Sequence, residues 1–66
     1  MSPRLRIMIK RLRKVKGMSQ VELAAAAGIA RPYLVRLESG EQQNPSLAVL
    51  KRLAKALGVP VTRLLE

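Results

Sequence analysis

Two short helices joined by a tight turn are predicted by residues 19–40, SQVELAAAAGIARPYLVRLESG. Ser19 and Glu22 have the spacing of a capping box, in which the serine hydroxyl accepts a hydrogen bond from the glutamate amide and the glutamate carboxylate accepts one from the serine amide. Gly28 suits the left-handed position that follows the last turn of a helix. The stretch therefore predicts one helix before Gly28 and a second after it.

Small side chains surround the turn between these helices. Ala24 and Ala27 leave little bulk between the first helix and its neighbour, and Ile29 is placed to fill the corner. Such a close pair is the geometry of a helix-turn-helix, whose second helix enters the major groove of DNA. A compact helical hairpin without that role uses the same residue types, so this feature alone leaves both interpretations open.

The faces of the helix that follows Gly28 favour the DNA interpretation. At about 100° per residue, its inner face carries Leu34, Leu37 and Glu38. Its outer face carries Arg31, Pro32 and Arg36, with Tyr33 at the edge. An arginine donates two hydrogen bonds to guanine O6 and N7, and an apolar side chain packs on a thymine methyl group. The outer face is therefore suited to contact base edges.

Helical spacing of apolar residues recurs along the chain, and no alternating stretch is long enough for a half-buried strand. The five predicted helices span residues 4–16, 19–27, 31–38, 46–57 and 61–65. The apolar stripe of the first helix consists of Leu5, Met8, Ile9, Leu12 and Val15. That of the fourth consists of Leu47, Leu50, Leu53, Ala54 and Leu57, after Ser46 as the N-cap. The sequence thus predicts one all-α domain over residues 1–66.

The charge is strongly basic and uneven. The 66 residues include 13 Lys or Arg and 4 Asp or Glu, a net charge of +9, and residues 1–16 hold seven of the cations and none of the acids. This excess implies a polyanionic partner, and a nucleic acid is favoured over a membrane surface. Many of these cations are nevertheless expected only to be solvated. Because Tyr33 is the single aromatic residue, stacking on single-stranded nucleic acid is not expected.

The composition also excludes several functions. The chain has no Cys and no His, and so lacks the commonest metal ligands and the commonest general base. No catalytic residue, metal, cofactor or small-molecule ligand is expected, and an enzyme is the poorest interpretation. The longest apolar run, residues 23–27, is far shorter than the roughly 20 residues of a membrane span. We therefore expect a cytoplasmic protein.

The chain resembles the lambda-repressor-like, five-helix DNA-binding domain of the phage repressor and Cro family of helix-turn-helix regulators. The resemblance covers nearly the whole chain, residues 5–65. The matching markers are Ser19-Gln20, Glu22-Leu23-Ala24, Gly28-Ile29, Tyr33-Leu34, Arg36-Leu37-Glu38, Gly40, Pro45-Ser46-Leu47 and residues 54–59. Many spaced markers in one order make this a specific match.

The resemblance implies roles for individual residues. The base-contacting positions are Arg31, Pro32 and Arg36. The positions expected at the DNA backbone are Gln20, Tyr33, Ser39, Gln42, Gln43, Asn44 and, secondarily, Arg13. Alternatives stay open for several of them. Arg31 and Arg36 could contact phosphates instead of bases, and Tyr33 could cover the core. Gln20 could be a solvated side chain, and the loop after the third helix an ordinary hydrated loop.

Arg13 and Glu38 match a structural ion pair of the family. The physical reason is that Glu38 lies toward the core side of its helix, where an unpaired carboxylate is costly to bury. Two other positions depart from the family pattern. Ala30 stands where a Ser or Thr cap is frequent. Alanine at an N-cap lowers stability by about 1 kcal/mol relative to such a residue. Pro32 lacks an amide and a polar side chain, which reduces the hydrogen bonds available to bases.

We therefore expect a sequence-specific regulator, of the repressor type, that binds a palindromic operator on double-stranded DNA as a homodimer in the nucleoid. Residues 61–65 are the expected dimer surface, or else they complete the core. The chain is either a stand-alone regulator, slightly favoured, or the DNA-binding part of a longer one. The alternative function is an antitoxin-type module that binds a toxin as well as DNA, although no extra toxin-covering segment is visible.

Overall fold

The computed structural model describes residues 3–65 as five α-helices joined by short loops. The helices are α1 Pro3–Val15, α2 Gln20–Ala27, α3 Arg31–Ser39, α4 Leu47–Leu57 and α5 Thr62–Leu65. Each observed end lies within one residue of the predicted one, and the described residues contain no strand. The all-α prediction is confirmed.

The helices begin where the side chains predicted as caps can serve their free amides. The Glu22 amide donates to Ser19 Oγ at 3.0 Å, and the Ser19 amide donates to Glu22 Oε1 at 2.8 Å, which completes the capping box of α2. The Val49 amide donates to Ser46 Oγ at 3.2 Å at the start of α4. At α3, Ala30 offers no side-chain cap among the described residues, as the sequence predicts.

The turn between α2 and α3 has the predicted left-handed glycine. Gly28 has a φ of 68°, a conformation that costs any L side chain strain. The next amide, that of Ile29, donates to the Ala24 carbonyl at 2.9 Å and closes the end of α2. Ile29 itself packs against the core. The chain therefore reverses sharply and presents α3 at a fixed place beside α2.

The core is aliphatic, and every helix contributes to it. Its fully buried large side chains are Ile9, Leu23, Leu34, Leu37, Leu53 and Leu57. The alanines of α2 that the sequence places at close contacts, Ala24 and Ala27, are buried as well. Helix α2 packs on α3 and α4, while α1 contacts α3, α4 and α5. Helix α3 is thus held from both sides.

Two members of the predicted apolar stripes are not in the core. Val15 is 78% exposed and Leu47 is 54% exposed, so their expected burial is wrong. Both lie at the edge of their stripe and at a helix terminus, Val15 as the last residue of α1 and Leu47 as the first of α4. In α5, Leu64 is buried and completes the core, whereas Leu65 is 53% exposed.

The capping box makes a prediction about acid sensitivity. A hydrogen bond from the Ser19 backbone amide is the main cause that lowers the pKa of Glu22 below its ordinary value of 4.5, and an interaction with the Ser19 side chain adds to it. A carboxylate with a lowered folded-state pKa contributes stability that is complete above its unfolded pKa and is lost as the pH falls through the folded one. We expect wild type to be more stable than E22Q at neutral pH, with an advantage that shrinks below pH 4.5.

Urea unfolding of both proteins from neutral to acid pH measures this difference. E41Q removes one negative charge from an exposed loop position and serves as the matched control. An E22Q difference that stays constant over the whole pH range contradicts a stabilising role for the ionised carboxylate.

Candidate nucleic-acid interface

Helix α3 separates its side chains as the sequence predicts. Leu34 and Leu37 are fully buried and Glu38 is buried with them. The three residues predicted to contact bases, Arg31, Pro32 and Arg36, are all exposed. Tyr33 and Val35 are half-buried at the two edges, and Tyr33 packs against the core. The outer face of α3 is therefore two arginines and a proline on a firmly packed helix.

A buried ion pair connects α3 with α1. Arg13 Nε donates to Glu38 Oε2 at 2.7 Å, and Arg13 Nη2 donates to Glu38 Oε1 at 3.0 Å. The side chains are 11% and 4% exposed. Two parallel hydrogen bonds from one planar guanidinium fix the orientation of the two side chains as well as the distance between them. The predicted structural pair is confirmed.

Two further hydrogen bonds extend this pair into a network. Arg13 Nη1 donates to the Met18 carbonyl at 2.9 Å, which ties down the loop between α1 and α2. Gln20 Nε2 donates to Glu38 Oε1 at 3.3 Å from the first turn of α2. The Glu38 carboxylate therefore joins α1, α2 and α3 at one point, which we call the Glu38 network (Arg13, Met18, Gln20 and Glu38).

The Glu38 network favours the charged form of Arg13. The hydrogen bond to the Glu38 carboxylate is the main cause that raises the pKa of Arg13, and burial opposes it. Among the described residues, no buried side-chain nitrogen or oxygen lacks a partner. All three guanidinium nitrogens of Arg13 are engaged, which leaves little of this side chain for the phosphate contact expected as its secondary role.

The loop after α3 begins in a fixed conformation. The Arg36 carbonyl accepts hydrogen bonds from the amides of Gly40 and Gln42, each at 3.1 Å. It also accepts one from Ser39 Oγ at 3.1 Å. The Glu41 amide in turn donates to Ser39 Oγ at 3.3 Å. Ser39 is therefore exposed, but its hydroxyl already forms hydrogen bonds with neighbouring backbone groups. The hydrogen bond of the Gln42 amide fixes the position of that residue.

Part of the loop after α3 is exposed, and the start of the loop lies against a cation of α1. Gln43 and Asn44 are exposed and Gln42 is half-buried. A Cβ atom at Gly40 would lie 3.1 Å from Arg6 Cδ, so the Arg6 side chain runs along the start of the loop. Arg6 is not among the residues predicted to form the site. Its signal was the seven-residue spacing from Arg13, which puts both on one side of α1.

The contact between Gln20 and Glu38 was also missed. The sequence predicts Gln20 at the DNA backbone, whereas its amide nitrogen donates to a carboxylate inside the protein. A half-buried position at the start of α2 leaves the rest of the side chain accessible.

Among residues 3–65, no helix is long and apolar enough to cross a membrane.

Comparison with known proteins identifies similar sequences over most of the chain. A family model described as Helix-turn-helix matches residues 9–64. The HTH-type transcriptional regulator SinR of Bacillus subtilis (strain 168) is 45% identical over 58 residues, which are 88% of this chain and 52% of SinR. The chain therefore spans about half the length of this relative.

Solved structures have the same fold. A crystal structure of SinR, the master regulator for biofilm formation, in complex with DNA gives a TM-score of 0.91 at 42% identity, covering 94% of this chain and 98% of that chain. The restriction-modification controller protein C.AhdI from Aeromonas hydrophila gives a TM-score of 0.88 at 34% identity, covering 92% and 91% of the two chains. Both are regulatory proteins by name, a master regulator and a controller protein.

The Glu38 network predicts the effect of removing Arg13. R13M leaves the Glu38 carboxylate buried without its cation, and we expect a loss of about 3–5 kcal/mol in the free energy of unfolding. K14M, at the exposed neighbouring position, is the matched control with little expected loss. Urea unfolding followed by circular dichroism measures both.

A double variant keeps this test decisive if R13M does not fold. R13M/E38L replaces the buried pair with apolar side chains of similar size, which is often neutral for stability, and we expect it to fold. A loss in R13M no larger than that in K14M contradicts the structural role of the pair.

Proposed function

This chain belongs to the helix-turn-helix family, and on that premise we propose that it is a transcriptional regulator that binds double-stranded DNA sequence-specifically. Helix α3 enters the major groove with its outer face toward the bases. In this proposal the protein acts in the cytoplasm, on the nucleoid.

The observation that carries the proposal is the exposed arginine pair on a helix whose inner face is fixed. Arg31 and Arg36 are exposed, while Leu34, Leu37 and Glu38 on the same helix are buried. A helix that can neither rotate nor shift holds its outer side chains in one register against a duplex. The relative with the similar fold, SinR, has been crystallised in complex with DNA, which supports the same use of the fold here.

Each outer side chain of α3 has a chemical role in this proposal. Arg36, near the centre of the outer face, donates to O6 and N7 of a guanine. Arg31 does the same from the start of the helix or binds a phosphate. Pro32 packs against a thymine methyl group, since it has no hydrogen bond to give. Two arginines and a proline favour a half-site that contains guanine and thymine.

The DNA backbone is contacted by residues on both sides of α3. Gln20 keeps one N–H of its amide on Glu38 and donates the other N–H to a phosphate. Tyr33 donates its hydroxyl or packs on a sugar. Neutral side chains at and beyond the end of α3 supply further contacts. These are Ser39, whose hydroxyl would exchange its bond to the Arg36 carbonyl for a phosphate, and Gln42, Gln43 and Asn44 of the loop. These contacts fix the register of α3 without carrying sequence information themselves.

We also propose that the protein binds as a homodimer to a two-fold symmetric site. Leu65 and Leu47 are apolar and about half exposed, and burial against a second copy would remove them from water. Two copies of α3 would then contact half-sites about one helical turn apart, roughly 34 Å.

Selection of duplexes from a random pool, with affinities measured at two salt concentrations, tests the function. We expect an enriched two-fold symmetric motif, bound at least ~10³-fold more tightly than random DNA. The affinity should fall steeply with salt, because lysines and arginines displace counterions from the phosphates. Weak binding without any motif contradicts a sequence-specific regulator and directs attention to a protein partner such as a toxin.

The arginine at the centre of the outer face should carry specificity. R36A removes a base contact but no core group, and we expect the selected duplex to bind about 10–100-fold more weakly, in line with 1–3 kcal/mol of discrimination. R52A, an exposed arginine of α4, is the matched control. Binding to random DNA should change little in either variant. Equal losses on selected and random DNA would assign Arg36 to a phosphate instead of a base.

A further inference from the structure

The side of α1 that points away from the core forms a second surface. It consists of Ile7, Lys10, Arg11, Lys14 and Val15, which we call the α1 outer face. All five residues are exposed and together line one shallow groove. At about 100° per residue, this face lies opposite Leu5 and Ile9, which are buried.

The α1 outer face is partly apolar. Ile7 is 49% exposed and Val15 is 78% exposed. They are eight positions apart, so they lie about 12 Å from each other along the helix, with the aliphatic stem of Arg11 between them. The three side chains form an apolar line on the surface, and water contact with this line is unfavourable.

The same face is strongly basic, and no described acidic residue pairs with it. Within residues 3–65, Lys10, Arg11 and Lys14 make no ion pair and no side-chain hydrogen bond. Helix α1 contains no acidic residue. Lys10 and Lys14 are four residues apart, a spacing at which like charges on a helix destabilise it. A negatively charged partner would relieve this repulsion.

This face is separate from the surface proposed for DNA. Arg6 and Arg13 mark the side of α1 that meets α3 and its following loop. The α1 outer face is centred more than about 90° around the helix from them. A phosphate backbone gains nothing from exposed isoleucine and valine, whereas a protein partner gains by burying them.

We propose that the α1 outer face binds an acidic amphipathic helix of a partner protein. The aliphatic residues of that helix cover Ile7 and Val15, and its carboxylates face Lys10, Arg11 and Lys14. A second copy of this chain does not fit, because face-to-face contact would bring six cations together. The face is small compared with standard interfaces, so the binding is weak, micromolar and sensitive to salt.

A designed peptide tests the proposal. The probe is a fluorescein-labelled helical peptide of about four turns, with a leucine stripe at i, i+4, i+8 spacing and glutamates on both flanks. A second peptide has the same composition in scrambled order, so it keeps the charge and loses the stripe. Fluorescence anisotropy with the full chain gives the affinity, and amide chemical shifts locate the binding surface.

Matched variants separate docking from general attraction. We expect I7S/V15S and K10Q/K14Q each to weaken binding of the striped peptide about tenfold, a change of 1.4 kcal/mol. V21S replaces an exposed valine of α2, and K51Q/K55Q replaces two exposed lysines of α4 with the same spacing. We expect both controls to bind as wild type does. All replaced side chains are exposed, so folding should be retained.

Three results would overturn the proposal. Equal affinity for the scrambled peptide, or an equal loss in K51Q/K55Q, would mean charge attraction without docking. Binding of phosphatidylglycerol vesicles through Ile7 and Val15, without binding of the striped peptide, would assign the face to an anionic lipid surface. Loss of duplex affinity in I7S/V15S would assign it to DNA.

Discussion

The buried ion pair between Arg13 and Glu38 is the constraint on which the surface proposed to bind DNA depends. A carboxylate can lie inside a small aliphatic core only when it is paired and hydrogen-bonded. Glu38 therefore requires α1 to stand at one distance and one rotation relative to α3. Apolar packing is not directional in this way. The bonds to Met18 and from Gln20 extend the same requirement to the α1–α2 loop and to α2.

Helix α3 needs this support because its own sequence provides little. Its nine residues are fewer than an isolated helix requires for stability in water. Ala30 gives it no side-chain cap among the described residues. Its stability comes instead from the buried Leu34 and Leu37 and from Glu38. The packing that stabilises α3 thus also fixes its rotation, and the outer face stays free for recognition.

Much of this arrangement could be predicted from local chemistry. The Ser19 capping box and Gly28 fix the ends of α2 through short-range bonds, so the motif alone located them. The resemblance added the partner of Glu38, which lies 25 residues away in Arg13. Periodicity failed for Val15 and Leu47, because a stripe does not tell where the neighbouring helices end. The bond from Gln20 to Glu38 was missed because it depends on how α2 and α3 pack in three dimensions.

The net charge of +9 does not by itself identify a partner, because phosphates and carboxylates both attract it. What distinguishes the two surfaces is the set of side chains beside the cations. Helix α3 and the loop after it carry exposed arginines together with exposed amide side chains that can bond a phosphate, those of Gln43 and Asn44. On the α1 outer face, the cations lie next to Ile7 and Val15, which gain free energy only when another apolar surface covers them. In our two proposals, the same kind of charge therefore attracts nucleic acid on one side and an acidic protein helix on the other.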